Sequence, residues 1–335
     1  MAPDKFKGTF AAPAVAAAIA RGLRAEGAEV DECPVADGGE GTLEVLITAL
    51  GGTLRPAHTV DPLRRPMTAG WGLTSDGALA IVESAQACGL SLLGPEERDA
   101  ERASSVGVGE MMLAAAHSGA RRMLVAVGGT ASTDGGADAV RVVEAGGGLA
   151  DVELVALCDV RVPFEEAAPT FAPQKGADSR TVRRLGERLE KLAATWPRSP
   201  LGVPMTGAGG GLAGGLWACL GAELRSGADF VLEATHFDER LAGTRAVVIG
   251  EGRLDEESLH GKIALTIAKR AAARDVPVHA VVGSCTLSKG AVIDLGLASV
   301  TQAGTEAELE AAGRSLAGRG PADARLHRPS QDMDW

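Results

Sequence analysis

This chain has four short glycine-rich segments, three of which carry carboxylates. They are Asp37-Gly38-Gly39-Glu40-Gly41, Gly128 to Gly136 with Asp134 inside it, Gly207 to Gly215, and Gly250-Glu251-Gly252-Arg253-Leu254-Asp255. Bare backbone N–H groups can approach phosphate oxygens where no side chain intervenes, and acidic side chains can hold the accompanying magnesium, so the pattern suits a polyphosphate ligand. Glycine is so common here, 45 of 335 residues, that paired glycines alone carry little weight. The argument rests on the acids and lysines set among them.

Each segment also has a plainer reading. Asp134, beside Ser132 and Thr133, follows a strand-like run and either contacts a ligand or caps the next helix. Cys158-Asp159 also follows a strand, with Lys175-Gly176 downstream; the pair suits a base and a phosphate contact, although a strand-end Asp often starts a turn and a Lys is usually just solvated. Gly207 to Gly211, followed by Leu212, Leu216 and Leu220 at four-residue spacing, reads either as an anion-binding loop before a helix or as glycines that let a helix pack closely. Gly250 to Asp255 with Gly261-Lys262 reads as a strand-to-helix loop supplying two acids, an arginine and a lysine. Gly209-x-Gly211-x-x-Gly214 matches the dinucleotide fingerprint in form only, because Gly202-Val203-Pro204-Met205 before it is a poor strand. No Walker-type P-loop is present.

The elements that must carry these segments are legible as alternating strands and helices. Val15, Ile19 and Leu23 form one stripe of a helix over residues 14–25, behind a loop holding Asp4, Lys5 and Lys7. Val30 to Val35 reads as a strand ending in the first acidic glycine loop, and Leu43 to Leu50 as a helix. Residues 53–82 read as an antiparallel meander broken at Asp61-Pro62, Arg65-Pro66 and Asp76-Gly77. Helix-like Gly109 to His117 and strand-like Met123 to Val127 and Glu153 to Leu157 follow, with a charged helix from Arg180 to Trp196. Ala246 to Ile249, a helix containing Ile263, Ile267 and Ala271, and His279 to Val282 make a βαβ unit. The predicted fold class is therefore α/β, with two α/β domains and a cleft between them. Residues 1–55 with 231–320 form a discontinuous Rossmann-like domain, 56–230 an inserted domain with a mixed sheet, and 321–335 a disordered tail.

Composition narrows the function. A net charge of −11 and a pI near 5.1 oppose a nucleic-acid backbone, and no basic cluster with stacking aromatics is present. The five cysteines lack C-x-x-C spacing and the histidines share no metal spacing, so neither zinc nor a disulfide framework is expected. No basic-then-apolar leader opens the chain and no apolar run approaches about 18 residues. The expectation is a cytoplasmic protein with no membrane or nucleic-acid partner.

Taken in order, Ala2-Pro3-Asp4-Lys5-Phe6-Lys7-Gly8, Val35-Ala36-Asp37-Gly38-Gly39-Glu40-Gly41-Thr42, Asp61-Pro62-Leu63, Gly128 to Gly136, Cys158-Asp159-Val160, Pro173-Gln174-Lys175-Gly176-Ala177 and Gly250 to Asp255 resemble the bacterial glycerate kinase family, the one without a P-loop. The resemblance spans nearly the whole chain. It implies transfer of the ATP γ-phosphoryl group to a hydroxyl of D-glycerate, giving 2-phosphoglycerate and ADP, with Mg²⁺ and ATP as cofactors and glycerate as the small-molecule partner. In that frame Asp159 or Asp134 orients the glycerate hydroxyl, with Lys175 as a third catalytic group. Asp37, Glu40 and Asp255 stand at or near the metal. Lys7, Arg253 and Lys262 supply positive charge to the ligands, and Gly38, Gly39, Gly128, Gly129, Ser132, Gly207, Gly209, Gly210 and Gly252 line the nucleotide. Two other readings stay open: a non-catalytic relative that binds nucleotide or an organic acid, and a kinase for a related small hydroxy acid.

Overall fold

A computed structural model of the chain describes residues 1–6, 8–149, 151–256 and 263–317. The expected tail, 321–335, lies outside them. The chain opens with β1 (Ala2–Pro3) and α1 (Ala12–Ala25). Next come α2 (Thr42–Leu50), β2 (Gly52–Val60), β3 (Pro66–Thr74), β4 (Leu79–Glu83), α3 (Ala85–Cys88), α4 (Val106–Ala116), β5 (Arg122–Ala126), α5 (Ala137–Ala145) and β6 (Glu153–Cys158). Helices α6 (Ala167–Phe171), α7 (Ser179–Thr195) and α8 (Leu212–Leu220), strand β7 (Glu223–Ser226) and α9 (Gly227–Ala234) follow. The last part holds α10 (Phe237–Arg240), β8 (Val247–Leu254), α11 (Ile263–Ala272), β9 (Val278–Cys285), α12 (Lys289–Asp294), β10 (Leu297–Gln302) and α13 (Glu306–Ala317).

The chain divides into two compact units, one from 1–35 with 236–335 and one from 36–235. The first is discontinuous. Its described sheet has the order β1-β8-β9-β10, all parallel. Helix α1 carries Pro13 in its first turn, where a missing N–H costs nothing, and buries Val15, Ile19 and Leu23 against α13 and the sheet. The run Val30 to Val35, expected as a strand, is not one. Cys33 and Val35 donate to the Met1 and Pro3 carbonyls at 2.7 and 3.0 Å, but Pro3 between those acceptors has no N–H to return a bond to the Cys33 carbonyl, so the ladder is not completed.

The second unit carries a mixed sheet, order β2-β3-β4-β5-β6-β7. The expected meander is present: β2 pairs with β3 from Gly52↔Thr74 to Val60↔Pro66, and β3 with β4, both antiparallel. At the first turn the Asp61 carboxylate accepts the N–H groups of Leu63 and Arg65 at 2.8 and 2.9 Å. From β4 to β7 the pairing is parallel; β4, β5 and β6 are largely apolar and buried on both faces, while β7 at the edge is half-buried and polar. Val82, Val125 and Ala156 face Met111 and Met112 of α4 and Leu216 of α8 in one core. Strand β2 is an edge, with Leu54, Arg55 and Pro56 exposed.

Residues 36–55, expected in the discontinuous domain, pack instead within the inserted unit. The reason is local. The buried Glu83 carboxylate at the end of β4 accepts the N–H groups of Gly41 and Leu43 at 2.9 and 3.0 Å, which fastens the start of α2 to the sheet. Ile47 of α2 lies over Gly72 of β3, where an added Cβ would stand 2.5 Å from the Ile47 side chain.

Candidate functional site

Parallel strands β4, β5 and β6 end side by side, and the polar residues just past their C-terminal ends collect there, as in open α/β sheets generally. Ser84 follows β4, Gly128 and Gly129 follow β5, and Asp159 follows β6. The acidic loop Asp37 to Gly41 meets them. Gly128 N–H donates to the Gly38 carbonyl at 3.2 Å, and within the loop Gly39 N–H donates to Asp37 Oδ1 at 3.1 Å and Gly38 N–H to Thr42 Oγ1 at 3.2 Å. A Cβ on Gly128 would stand 2.7 Å from both Asp159 Oδ2 and Gly39 Cα. Two segments far apart in sequence thus touch through bare backbone. The carboxylates of Asp37 and Asp159 flank that contact, since a Cβ on Gly39 would meet Asp37 Oδ1 at 3.2 Å. Glu40 lies at the rim, its Oε1 accepting the Ser91 hydroxyl at 3.2 Å, and Gly129 beside it is exposed at φ +77°.

Lys175 is 3% exposed. Its ammonium donates to the Ser132 carbonyl and, at 3.3 Å, to Thr130 Oγ1. Burial pulls its pKa down to about 8, against the opposing pull of Cys88, Asp134 and Asp159, so near neutrality it is a cation held out of water. The same burial pushes the Cys88 thiol up to about 11, which leaves it protonated and a poor nucleophile. Gly210 closes over this group: a Cβ there would stand 2.1 Å from the Ser132 carbonyl and 2.8 Å from Lys175 Nζ. Ser132 Oγ and Thr133 Oγ1 are buried without a proper hydrogen-bond partner, Ser132 having only the weakly bonding Cys88 thiol beside it.

Asp134 is 1% exposed and fully engaged. It accepts Ser105 N–H and Ser105 Oγ–H at 2.9 and 2.6 Å, where α4 begins, and Gly136 N–H at 3.1 Å, where α5 begins. This is the capping arrangement, with each carboxylate oxygen occupied by a helix start. The glycines at 207–211 have mostly a packing role. A Cβ on Gly207 would stand 2.3 Å from the Pro163 carbonyl and one on Gly209 2.4 Å from the Val127 carbonyl, so both lie against backbone; Gly210 alone among Gly207, Gly209 and Gly210 adjoins a charged group.

Gly252, Arg253 and Asp255 belong to the discontinuous unit. They are not a strand-to-helix loop as expected, because β8 continues through Leu254, pairing Arg253 with Ser284 and Leu254 with Cys285 of β9. The glycines serve that pairing: a Cβ on Gly283 would stand 2.6 Å from the Gly252 carbonyl. Arg253 Nε lies 3.2 Å from Asp255 Oδ2. Lys7 and Lys262 lie outside the described residues.

Sequence reasoning passed over Glu83, Cys88 and Ser105. Glu83 carried a usable signal, an acid closing the apolar run Leu79-Ala80-Ile81-Val82. Among the described residues no three His, Cys, Asp or Glu side chains gather to hold a metal unaided. Magnesium does not require that, since it is usually held by one or two carboxylates together with substrate phosphates and water. Asp37 and Asp159, both partly exposed beside glycine backbone that carries no side chain, are a donor set of that kind.

Comparison with known proteins agrees with the arrangement. The model of the glycerate kinase family matches residues 1–146 and 138–317. The chain is similar to glycerate 2-kinase of Escherichia coli K12, 36% identical over 90% of this chain and 88% of that one. It is also similar to glycerate kinase of Bacillus subtilis 168, 34% identical over 89% and 88%. A crystal structure provisionally assigned as glycerate kinase 2 of Salmonella typhimurium LT2 superposes with a TM-score of 0.76 at 30% identity, covering 94% of this chain and 96% of that one. No helix among the described residues is long and apolar enough to cross a membrane.

Proposed function

This chain belongs to the glycerate kinase family, and we propose that it transfers the γ-phosphoryl group of ATP to the 2-hydroxyl of D-glycerate, giving 2-phosphoglycerate and ADP in the cytoplasm. The observation that carries this reading is the meeting of the acidic glycine loop with Gly128 and Asp159 beside a buried, cationic Lys175. Phosphoryl transfer asks for positioning and for charge at the oxygens where negative charge develops, rather than for covalent chemistry by the protein. The unit offers both.

Asp159 is partly exposed at the end of β6 and is assigned to orient the acceptor hydroxyl and take its proton as the oxygen attacks phosphorus and ADP leaves. Asp37, with Glu40 at the rim, would hold Mg²⁺, which supplies charge neutralisation between the phosphates. The backbone N–H of the exposed Gly129 would meet the phosphate oxygens. Asp134 is assigned to the framework, because its oxygens are taken by Ser105 and Gly136. The part played by Arg253, Asp255, Lys7 and Lys262 rests on the family resemblance alone.

The test is glycerate-dependent ADP release by the purified chain with and without Mg²⁺, with phosphorus NMR of the product. Release that needs both, with phosphate on the 2-oxygen, is the expected result. ATP binding without any glycerate-dependent release would turn the reading toward a non-catalytic relative, and faster release with another hydroxy acid toward a different substrate.

A further inference from the structure

We propose that Lys175, together with the buried hydroxyls of Ser132 and Thr133, is the seat of the acceptor's carboxylate, so that the site selects small 2-hydroxy acids as anions and rejects their neutral counterparts. This rests on the reading of the chain as a glycerate kinase and gives one named group of residues the task of recognising the acid.

Three observations converge. First, a nearly wholly buried ammonium donates only to a carbonyl and a hydroxyl, with no carboxylate in direct contact among the described residues. A buried cation so placed is balanced only at a distance, by the fields of Asp134 and Asp159, and a ligand anion in direct contact completes the balance. Second, two hydroxyls in the same stretch are buried and unspent. Left that way they cost stability, whereas each can donate to an anionic oxygen. Third, the surroundings are rigid. Gly210 leaves no room for a Cβ between the Ser132 carbonyl and Lys175 Nζ, and a Cβ on Gly176 would stand 2.5 Å from the Arg98 carbonyl.

Charge and size decide between a carboxylate and a phosphate. One ammonium and two neutral hydroxyls match a single negative charge in a small planar group. A triphosphate brings about four charges at neutral pH, and here it would face Asp134 and Asp159, the carboxylates whose field Lys175 already feels. Gly129, beside the Asp37 loop, is exposed to solvent, whereas Lys175 is buried. With the carboxylate seated there, the hydroxyl on the adjacent carbon is the one placed nearest to the anchor, which gives a physical reason for reaction at the 2-oxygen rather than the 3-oxygen.

The experiment is calorimetric titration of the full chain with D-glycerate, with its neutral amide D-glyceramide, and with a non-hydrolysable ATP analogue and Mg²⁺. It is run on the wild type, Lys175→Met and Ser132→Ala, each checked for folding by its thermal melt. The wild type should bind glycerate at least about tenfold more tightly than the amide. Lys175→Met should bring that ratio to within about twofold, Ser132→Ala should lower it by about threefold to fivefold, and both should leave the ATP analogue's affinity within about twofold. Retention of the ratio in a folded Lys175→Met variant, or a tenfold loss of ATP-analogue affinity in its place, would overturn the seat while leaving the proposed reaction standing. A wild-type protein that neither binds nor phosphorylates glycerate overturns the proposed reaction itself.

Discussion

Asp159 Oδ2 lies 2.7 Å from where a Cβ on Gly128 would stand, and Gly39 Cα lies at the same distance from that point. The carboxylate can rotate away from an added methyl, but the Gly39 backbone can yield only by moving the acidic loop. Gly128→Ala should therefore keep the fold and lower kcat by roughly 100-fold, because displacement of about 1 Å at reacting groups costs that much. Steady-state kinetics with both substrates checks it; a kcat within threefold of the wild type would show that this contact does not set the geometry of the chemistry.

Asp159 and Asp134 should separate cleanly. Asp159→Asn keeps shape and loses the proton acceptor, so kcat should drop by about 100-fold to 10,000-fold with ATP affinity little changed. Asp134→Asn should instead destabilise the chain by about 2–3 kcal/mol, since an amide in place of the carboxylate cannot accept from Ser105 and Gly136 together as the ion does. Chemical denaturation beside kinetics tells them apart, and a large stability loss for Asp159→Asn would contradict the roles.

Lys175 fixes a pH signature. Its pKa in the fold, about 8, lies below the ordinary lysine value of 10.5. In free enzyme the cation is lost as pH rises through about 8, so kcat/KM for glycerate should fall about tenfold per pH unit beyond it. Stability runs the other way. Between about 8 and 10.5 the unfolded chain binds the proton more readily than the folded one, so the contribution of this group grows across that window. It is present in full above 10.5 and lost as pH falls through about 8, a difference of about 3 kcal/mol. Denaturation of wild type and Lys175→Met at pH 7 and pH 10 isolates it; equal pH dependence in the two would remove Lys175 as the cause.

Glu83 should matter beyond its distance from substrate. Glu83→Ala leaves the N–H groups of Gly41 and Leu43 without their acceptor and should cost about 2–4 kcal/mol. The Tm should fall by more than 5 °C, roughly, and the KM for Mg-ATP should rise as the loop between Asp37 and Gly41 loosens. Glu83→Gln, retaining one carbonyl oxygen, should be milder. A melt within 1 °C or so of the wild type would show that α2 is held by packing alone.

What the sequence makes legible here follows the reach of each signal. Apolar spacing marked α1, α2, α8 and the parallel strands, because periodicity is a local property of a buried face. The meander was legible from Asp61-Pro62, Arg65-Pro66 and Asp76-Gly77, whose turn chemistry is equally local. Pro3, with no N–H to offer, kept residues 30–35 from completing a ladder beside it, and β8 ran past glycines that read as a loop because its neighbour β9 supplied the ladder. At the site, the acids and Lys175 stood out by type, but nothing local distinguishes Asp134 from Asp159. One is consumed by two helix starts and the other stands partly exposed beside bare backbone, a distinction made by residues about thirty positions away. Glu83 was hidden for the same reason, its partners lying some forty residues earlier.

Strand β2 has a practical consequence for handling the protein. Its outer side offers unused peptide groups to any other extended chain, yet Pro56 at its middle presents no N–H, and Arg55 and His58 are exposed along it. A second copy that tried to lengthen the sheet would meet a missing donor and the charge of Arg55. Concentrated solutions should therefore resist fibrillar association through this border even though Leu54 lies open to solvent.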